Sequence, residues 1–205
     1  MRSPPPILDA DRTVVGLVLA GGRSVRFGGE KAAALLGGKP LLLWAAERLA
    51  KVCAAVAVNV RPGSEAERQA GSLTVLYDRV GDPDGPLAGV RAGLEWAGER
   101  GASFLAVSPC DAPLTPDDLF PRLIAAAREH GAAVAETPDG VQPQFAVWPI
   151  SALDLVETAV AGGEHPPTWR MLEAIGAARV RFDDPAAFAN VNTREDLEAL
   201  AARLG

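Results

Sequence analysis

Residues 13–20 read T-V-V-G-L-V-L-A, and Gly21 and Gly22 follow at once. The run is short, apolar and β-branched, and it stops at glycine, so it predicts a strand buried on both faces that ends in a loop. Similar runs recur at 54–60, 73–77 and 104–107. Helix-period stretches lie between and after them. Pro40 opens one with Leu42, Ala46 and Leu49 on one face, and Leu87, Val90, Leu94 and Ala97 stripe another. Leu119, Leu123, Ile124 and Ala127 mark a third, whose start Pro121 places near Phe120. Strands alternating with helices predict an α/β fold with a mostly parallel twisted sheet, helices on both faces, and ligands at the carboxyl ends of the strands.

Further along, 132–136 and 144–148 read as strands joined by the turn Pro138-Asp139-Gly140. A last helix is capped by Thr193, carries Asp196 in its first turn, and aligns Leu197, Leu200 and Leu204 on one face. The opening Met-Arg-Ser-Pro-Pro-Pro predicts a flexible tail over 1–12, with 13–205 forming one domain.

Composition narrows the chemistry. A chain of 205 residues that is 48% hydrophobic can build a single large core without disulfides or a structural metal. Twenty Lys and Arg against 26 Asp and Glu give a net charge of -6, which argues against nucleic acid as a partner. Cys53 and Cys110 form no C-x-x-C pair, so a reducing compartment is expected. No apolar stretch approaches the roughly 18 residues of a membrane span, so the expectation is a cytoplasmic protein with no membrane partner. With only His130 and His165, and no G-x-S-x-G, a Ser-His-Asp hydrolase has almost nothing to be built from. Chemistry must rest on Asp, Lys, Arg and glycine.

Residues 19–31, L-A-G-G-R-S-V-R-F-G-G-E-K, place four glycines, Arg23, Arg26 and Lys31 in one loop directly after a strand. Glycine lets backbone N–H groups approach oxyanions, and the cations supply the charge a triphosphate needs. Neither G-x-G-x-x-G nor the P-loop pattern is matched, and a solvated surface loop would share this composition. The chain has only three lysines, Lys31, Lys39 and Lys51, so a lysine closing a glycine loop stands out. Residues 104–113, F-L-A-V-S-P-C-D-A-P, fix Asp111 between two prolines at a strand end, where one carboxylate opposite a phosphate loop can recruit Mg²⁺. Asn59 and Asp78 end two other strands and face the same crevice as Gly21 and Asp111 in a parallel sheet. Each of these residues alone could also simply start a turn.

Four blocks give the sequence its resemblance to a known family: residues 19–31, G-P-L-A-G at 85–89, P-C-D-A-P at 109–113, and F-D-D-P-A-A-F-A-N-V-N-T at 182–193. It resembles the molybdenum cofactor guanylyltransferases over essentially its whole length. The resemblance implies a Rossmann-like nucleotidyltransferase fold and transfer of GMP from GTP to the phosphate of molybdopterin carrying molybdenum, with release of pyrophosphate. It implies GTP contacts at Leu19, Ala20, Gly21, Lys31, Asn59, Asp78 and Asp111, with Mg²⁺ on Asp111. Gly22 extends the same loop, and Lys31, Arg23 and Arg26 would stabilise the leaving pyrophosphate. Asp78 is the candidate reader of guanine, with residues 81–89 as a loop able to close on the base.

The resemblance also places nucleotide in the N-terminal half and acceptor in the C-terminal half. Gln142, Gln144, Asn190 and Asn192 are the candidates for the pterin edge, although 190–193 could equally be the turn into the last helix. Phe27 and Glu30 stand where the family usually has Met and Asp. A CTP-using molybdopterin cytidylyltransferase is the near alternative, disfavoured because Ala20-Gly21-Gly22 replaces its usual L-A-A-G. A sugar-phosphate nucleotidylyltransferase and a non-catalytic cofactor carrier or chaperone are the others. Recipient molybdoenzymes or their chaperones would be transient partners.

Overall fold

The computed structural model describes residues 13–22, 27–162 and 166–204, so the expected tail over 1–12 lies outside the described residues. In chain order, β1 (Val14–Leu19) leads to a two-residue hairpin, β2 (Leu35–Leu36) and β3 (Lys39–Pro40), and then α1 (Leu41–Ala50), β4 (Val56–Asn59) and the short α2 (Glu65–Gln69). β5 (Thr74–Leu76), α3 (Pro86–Glu99), β6 (Phe104–Pro109), α4 (Leu119–His130), β7 (Ala133–Thr137) and β8 (Gly140–Pro149) follow. α5 (Leu153–Ala161), α6 (Thr168–Ala174), β9 (Ala178–Arg181) and α7 (Arg194–Leu204) complete the order.

Seven strands form one sheet in the order β5-β4-β1-β6-β8-β7-β9. β1 runs parallel to β4 and β6, β4 to β5, and β7 to β9, while β8 alone is antiparallel to its neighbours. The exception has a local cause. Only Pro138 and Asp139 separate β7 from β8, and a connection that short can return the chain but cannot carry it across the sheet to a parallel position. β8 is also longer than the expected 144–148, because the hairpin pairs Gly140, Val141 and Gln142 with β7.

The double burial of β1 divides the interior into two cores. Val14 and Val18 meet Leu42, Ala46 and Leu49 of α1 and Leu123, Ile124 and Ala127 of α4. Val15 and Leu17 meet Leu87, Val90, Leu94 and Ala97 of α3, with Val156 and Val160 of α5 beyond. α4 starts at Leu119, so Pro121 sits in the first turn, where a missing N–H costs no helical bond. α3 presses closest to the sheet. A Cβ at Gly93 would lie 2.6 Å from Leu17 Cδ2, and one at Gly89 would lie 2.6 Å from Asn59 Oδ1 and 2.8 Å from Leu19 Cδ2.

The cap of α7 is reciprocal. Asp196 N–H donates to Thr193 Oγ1 at 3.1 Å, while Asp196 Oδ2 accepts from the N–H groups of Asn192 and Thr193 at 2.8 and 2.9 Å. Those backbone bonds hold the Asp196 carboxyl below the usual carboxylate range. No helix among the described residues is long and apolar enough to cross a membrane.

Candidate active site

From β1 the chain builds outward to β4 and β5 on one side, then returns to place β6 on the other. That reversal opens a crevice at the carboxyl ends of β1, β4 and β6. Leu19 is level with Asn59 on one side and Pro109 on the other. Two further backbone bonds continue the ladder into the loops: Ala20 N–H to Asn59 O at 2.9 Å and Cys110 N–H to Leu19 O at 3.2 Å. The resulting cavity of about 530 Å³ is lined by Leu19, Ala20, Gly21 and Gly22 from the first strand end, and by Asn59, Asp78 and Asp111 from the others. Lys31, Gln144 and Asn192 also line it. Its size is that of a small-molecule site.

Lys31 opens a single 3₁₀ turn, Lys31–Ala33, at the end of the glycine loop. Its Nζ pairs with Asp111 Oδ2 and donates to Asn192 Oδ1 at 3.2 Å. An ammonium has three N–H donors, so two fixed acceptors leave one for a ligand oxygen. Asp111 Oδ1 is buried and has no hydrogen-bond partner. A buried anionic oxygen without a partner is costly, and a hard cation or a donor from a ligand satisfies it. No cluster of three metal-ligating side chains occurs among the described residues, so a cation here would rest on Asp111 together with ligand phosphates.

The loop behind Asp111 is fixed from both sides. Val191 N–H donates to the Asp111 carbonyl at 2.8 Å. Arg48, on α1, donates to the Pro113 carbonyl at 2.7 Å and to both the carbonyl and hydroxyl of Thr115. Cys110 also lines the cavity, but burial, reinforced by the charge of Asp111, pushes its thiol up to about 12. At neutral pH it is a protonated thiol and no nucleophile.

At the other end of the cavity Asn59, itself buried, donates from Nδ2 to Asp78 Oδ1 at 2.9 Å. Partial desolvation raises the Asp78 carboxyl above its usual range; the Asn59 bond opposes this and nearby Asp82 adds to it.

Several expectations change. Gln142 does not line the cavity: its Nε2 donates to Thr137 Oγ1 at 3.0 Å and to the Gly140 carbonyl, so the β7–β8 hairpin takes up its amide. Asn190 is exposed and stands outside the cavity. Residues 86–89 are the first turn of α3 rather than part of a closing loop, which cuts the expected loop of 81–89 back to 81–85, within the 77–85 connection that follows β5. Arg23 and Arg26 lie outside the described residues. Thr193 caps α7 as expected, and the Asn192 side chain is left to Lys31.

Phe27, Arg61 and Asp84 are among the lining residues that had no place in the sequence reading as site residues. Arg61 Nη2 lies 3.7 Å from Glu30 Oε1, and it and Lys31 are the cations among the described lining residues. The signal for Arg61 was its place two residues beyond Asn59, at the same strand end. Glu30 does not line the cavity, since its Oε2 accepts from Ala66 N–H at 3.0 Å at the start of α2. Phe27 packs with Leu36, Leu41, Val191 and Leu200, tying the glycine loop to α7.

The sequence matches the MobA-like NTP transferase domain over residues 16–180. A molybdenum cofactor guanylyltransferase from Cereibacter sphaeroides is 42% identical over 183 residues, covering 89% of this chain and 92% of that protein. One from Cupriavidus taiwanensis is 40% identical over 199 residues, covering 93% and 97%. Among solved structures, molybdopterin-guanine dinucleotide biosynthesis protein A from Archaeoglobus fulgidus superposes with a TM-score of 0.72 at 22% identity, covering 93% of this chain and 98% of that one. A 2-C-methyl-D-erythritol 4-phosphate cytidylyltransferase from Thermus thermophilus does so at 0.68 and 22% identity, covering 93% and 98%. At such identities the structures establish a shared Rossmann-like nucleotidyltransferase fold, and the sequence relatives establish more: this chain belongs to the molybdenum cofactor guanylyltransferase family.

Proposed function

We propose that the cavity binds GTP and that the protein transfers GMP to the terminal phosphate of molybdopterin carrying molybdenum, releasing pyrophosphate. The observation that carries this is the Lys31–Asp111 pair, with its unpartnered Asp111 Oδ1, set at the carboxyl end of β6 opposite the glycine loop. The matched relatives are named guanylyltransferases, which favours GTP over CTP. In this reading residues 13–205 form one domain whose N-terminal half holds nucleotide and whose C-terminal half holds acceptor, and the protein works in the cytoplasm. Recipient molybdoenzymes or their chaperones would be its transient partners.

The attacking group is a phosphate, already anionic at neutral pH, so no general base is needed. Catalysis rests on alignment and charge. Lys31 directs its remaining N–H to a phosphate oxygen and is held still by Asp111 and Asn192. Glycine-loop backbone N–H groups, Arg23, Arg26 and Arg61 would spread their positive potential over the pyrophosphate as it leaves. Asp111 Oδ1 fits Mg²⁺, which when bound supplies charge neutralisation for the triphosphate. Guanine presents two adjacent donors, its ring N–H and exocyclic amine, and Asp78, with one oxygen already oriented by Asn59, can accept both. Gln144 and Asn192 are the acceptor-side amides that the cavity retains, Asn192 standing beside Lys31.

The test incubates the purified protein with Mg²⁺, loaded molybdopterin and each of the four nucleoside triphosphates in turn, and reads pyrophosphate. Release with GTP, and little with ATP, CTP or UTP, is the expected result. Equal release with CTP overturns the choice of nucleotide, and no release with any of them overturns the reaction.

A further inference from the structure

The loop after β5 has no hydrophobic anchor. None of residues 77–85 is buried, and Val80 is fully exposed, yet this loop brings Asp78 and Asp84 to the cavity wall. What holds it is ionic: the exposed Arg79 reaches Glu95 on α3 and Glu157 on α5 at 2.6 and 2.9 Å, and a second, buried contact lies beneath. Arg91, on the second turn of α3, donates from Nη1 and Nη2 to Asp82 Oδ1 and Oδ2 at 2.9 and 2.5 Å. Its side chain is 3% exposed, and it is the one charged residue among the described buried ones. Asp82 Oδ2 also accepts from Arg79 N–H at 3.0 Å, so the pair grips the loop backbone as well as a side chain. α3 itself is immobilised by Leu87, Val90 and Leu94 in the core.

A buried ion pair is poor evidence for stabilisation, because desolvation of both charges offsets most of their attraction and an apolar pair of similar volume often does as well. A bidentate guanidinium–carboxylate contact does fix distance and orientation. We propose that Arg91 is a positioning residue for nucleotide binding: through Asp82 it rivets the loop to α3 and so sets where Asp78 stands against the nucleotide, without touching it. The inference rests on the reading of Asp78 as a nucleotide contact. Removing Arg91 leaves Asp78, Asp82 and Asp84 in one short loop without the buried cation, and their mutual repulsion favours open positions of the loop.

The experiment uses the full chain and GTP alone, with affinity measured by calorimetry for Arg91→Met, Asp82→Asn, the double variant and Asp78→Ala. If the loop then holds the competent position about one-tenth of the time, the apparent Kd for GTP rises about tenfold. The same rise is expected from Asp82→Asn, and no further rise from the double variant, because the two residues act through one contact. In turnover, KM for GTP should rise while kcat at saturating GTP stays within about threefold, a split that loss of folded protein would not produce. Wild-type GTP affinity in Arg91→Met, or additive losses in the double variant, overturns the proposal. Should Arg91→Met fail to fold, Asp82→Asn alone decides by the same readout. Asp78→Ala separates the two readings: if it weakens GTP binding and Arg91→Met does not, the rivet fails alone. If it changes nothing, the Asp78 reading fails, and the Arg91 and Asp82 variants still report whether the loop governs affinity.

Discussion

Gly89→Ala and Gly93→Ala form a matched pair on one helix, and only the first should reach the nucleotide. A Cβ at Gly89 would stand 2.6 Å from Asn59 Oδ1 and 2.9 Å from Asn59 Cγ, against an ordinary heavy-atom contact of about 3.5 Å. Relief requires the Asn59 amide to retreat by roughly 0.6–0.9 Å, which is enough to stretch its 2.9 Å bond to Asp78 to or beyond the roughly 3.5 Å at which it ceases to be a hydrogen bond. Overpacking costs about 1–3 kcal/mol, and alanine in place of helical glycine returns about 1 kcal/mol, so the net destabilisation is about 0–2 kcal/mol. In a protein of this length that lowers Tm by at most about 8 °C. Losing the bond that orients a charged ligand contact is worth about 1.5–3 kcal/mol, which is roughly a 10- to 100-fold weaker Kd for GTP.

Gly93→Ala meets Leu17 Cδ2 at 2.6 Å and Leu105 Cδ2 at 2.9 Å, so its cost is of the same kind but confined to the core. Thermal melts and calorimetric titration with GTP on both variants make the comparison. Both should lose a few degrees, and only Gly89→Ala should lose affinity. Wild-type GTP affinity in Gly89→Ala, or an equal loss in Gly93→Ala, would refute the reasoning.

Asp111→Asn keeps the shape of the strand end but removes the charge facing Lys31, so turnover should fall by at least about 100-fold with the fold intact; pyrophosphate release at saturating Mg²⁺ checks it, and near wild-type rates would exclude Asp111 from the chemistry. Asp78→Asn carries a sign that can be worked out. Because the folded-state carboxyl is raised, its ionised form is penalised at neutral pH, and acidification toward the ordinary carboxylate range relieves that penalty. The amide still accepts from Asn59 and has no charge to desolvate, so Tm at pH 7 should equal or exceed that of wild type, with the GTP-to-ATP preference reduced; a clear drop in Tm contradicts this. Wild-type GTP affinity should correspondingly decline as pH falls, starting above the ordinary Asp range, as a calorimetric pH series would record. Arg48→Ala removes bonds to Pro113 and Thr115 and should destabilise by about 2–4 kcal/mol, read by urea denaturation, and lower turnover by loosening Asp111; unchanged activity would mean that the loop is held without it.

The strand ends were legible because burial on both faces leaves an apolar run, as in β1, β4 and β6, while the edge strand β5, exposed or half-buried, showed only through its β-branched residues. β9 was not legible. Its alternating Ala178-Arg179-Val180-Arg181 belongs to an edge strand, where Arg179 and Arg181 reach Glu136 on β7, and charges of that kind read as surface. α5 was missed for a similar reason, since Val156 and Val160 are its only fully buried anchors. In the site, Lys31, Asn59, Asp78 and Asp111 could be found because Lys31 closes a glycine loop and the others end a strand or follow one within two residues. The functions of Gln142 and Asn192 could not, because both depend on partners: a hairpin register for the first, and a lysine far upstream for the second. Arg91 was unreadable for the opposite reason. An arginine one position from the apolar stripe of a helix looks solvated until the loop it holds is seen to have no buried apolar anchor.

The bond from Lys31 to Asn192 spans 161 positions, and the backbone bond from Val191 to Asp111 closes alongside it. On a ribosome adding about 5–20 residues per second, the 161 residues between Lys31 and its amide partner take roughly 10–30 s to appear. During that interval the glycine loop and the first strand ends can already exist, but the lysine lacks one of its two acceptors and the Asp111 loop lacks one of its two supports. A ligand stabilises only the state that binds it, so GTP can act as a folding aid far more after Val191 and Asn192 have been added than before. Charging of the site is thereby timed to the appearance of residues 191 and 192.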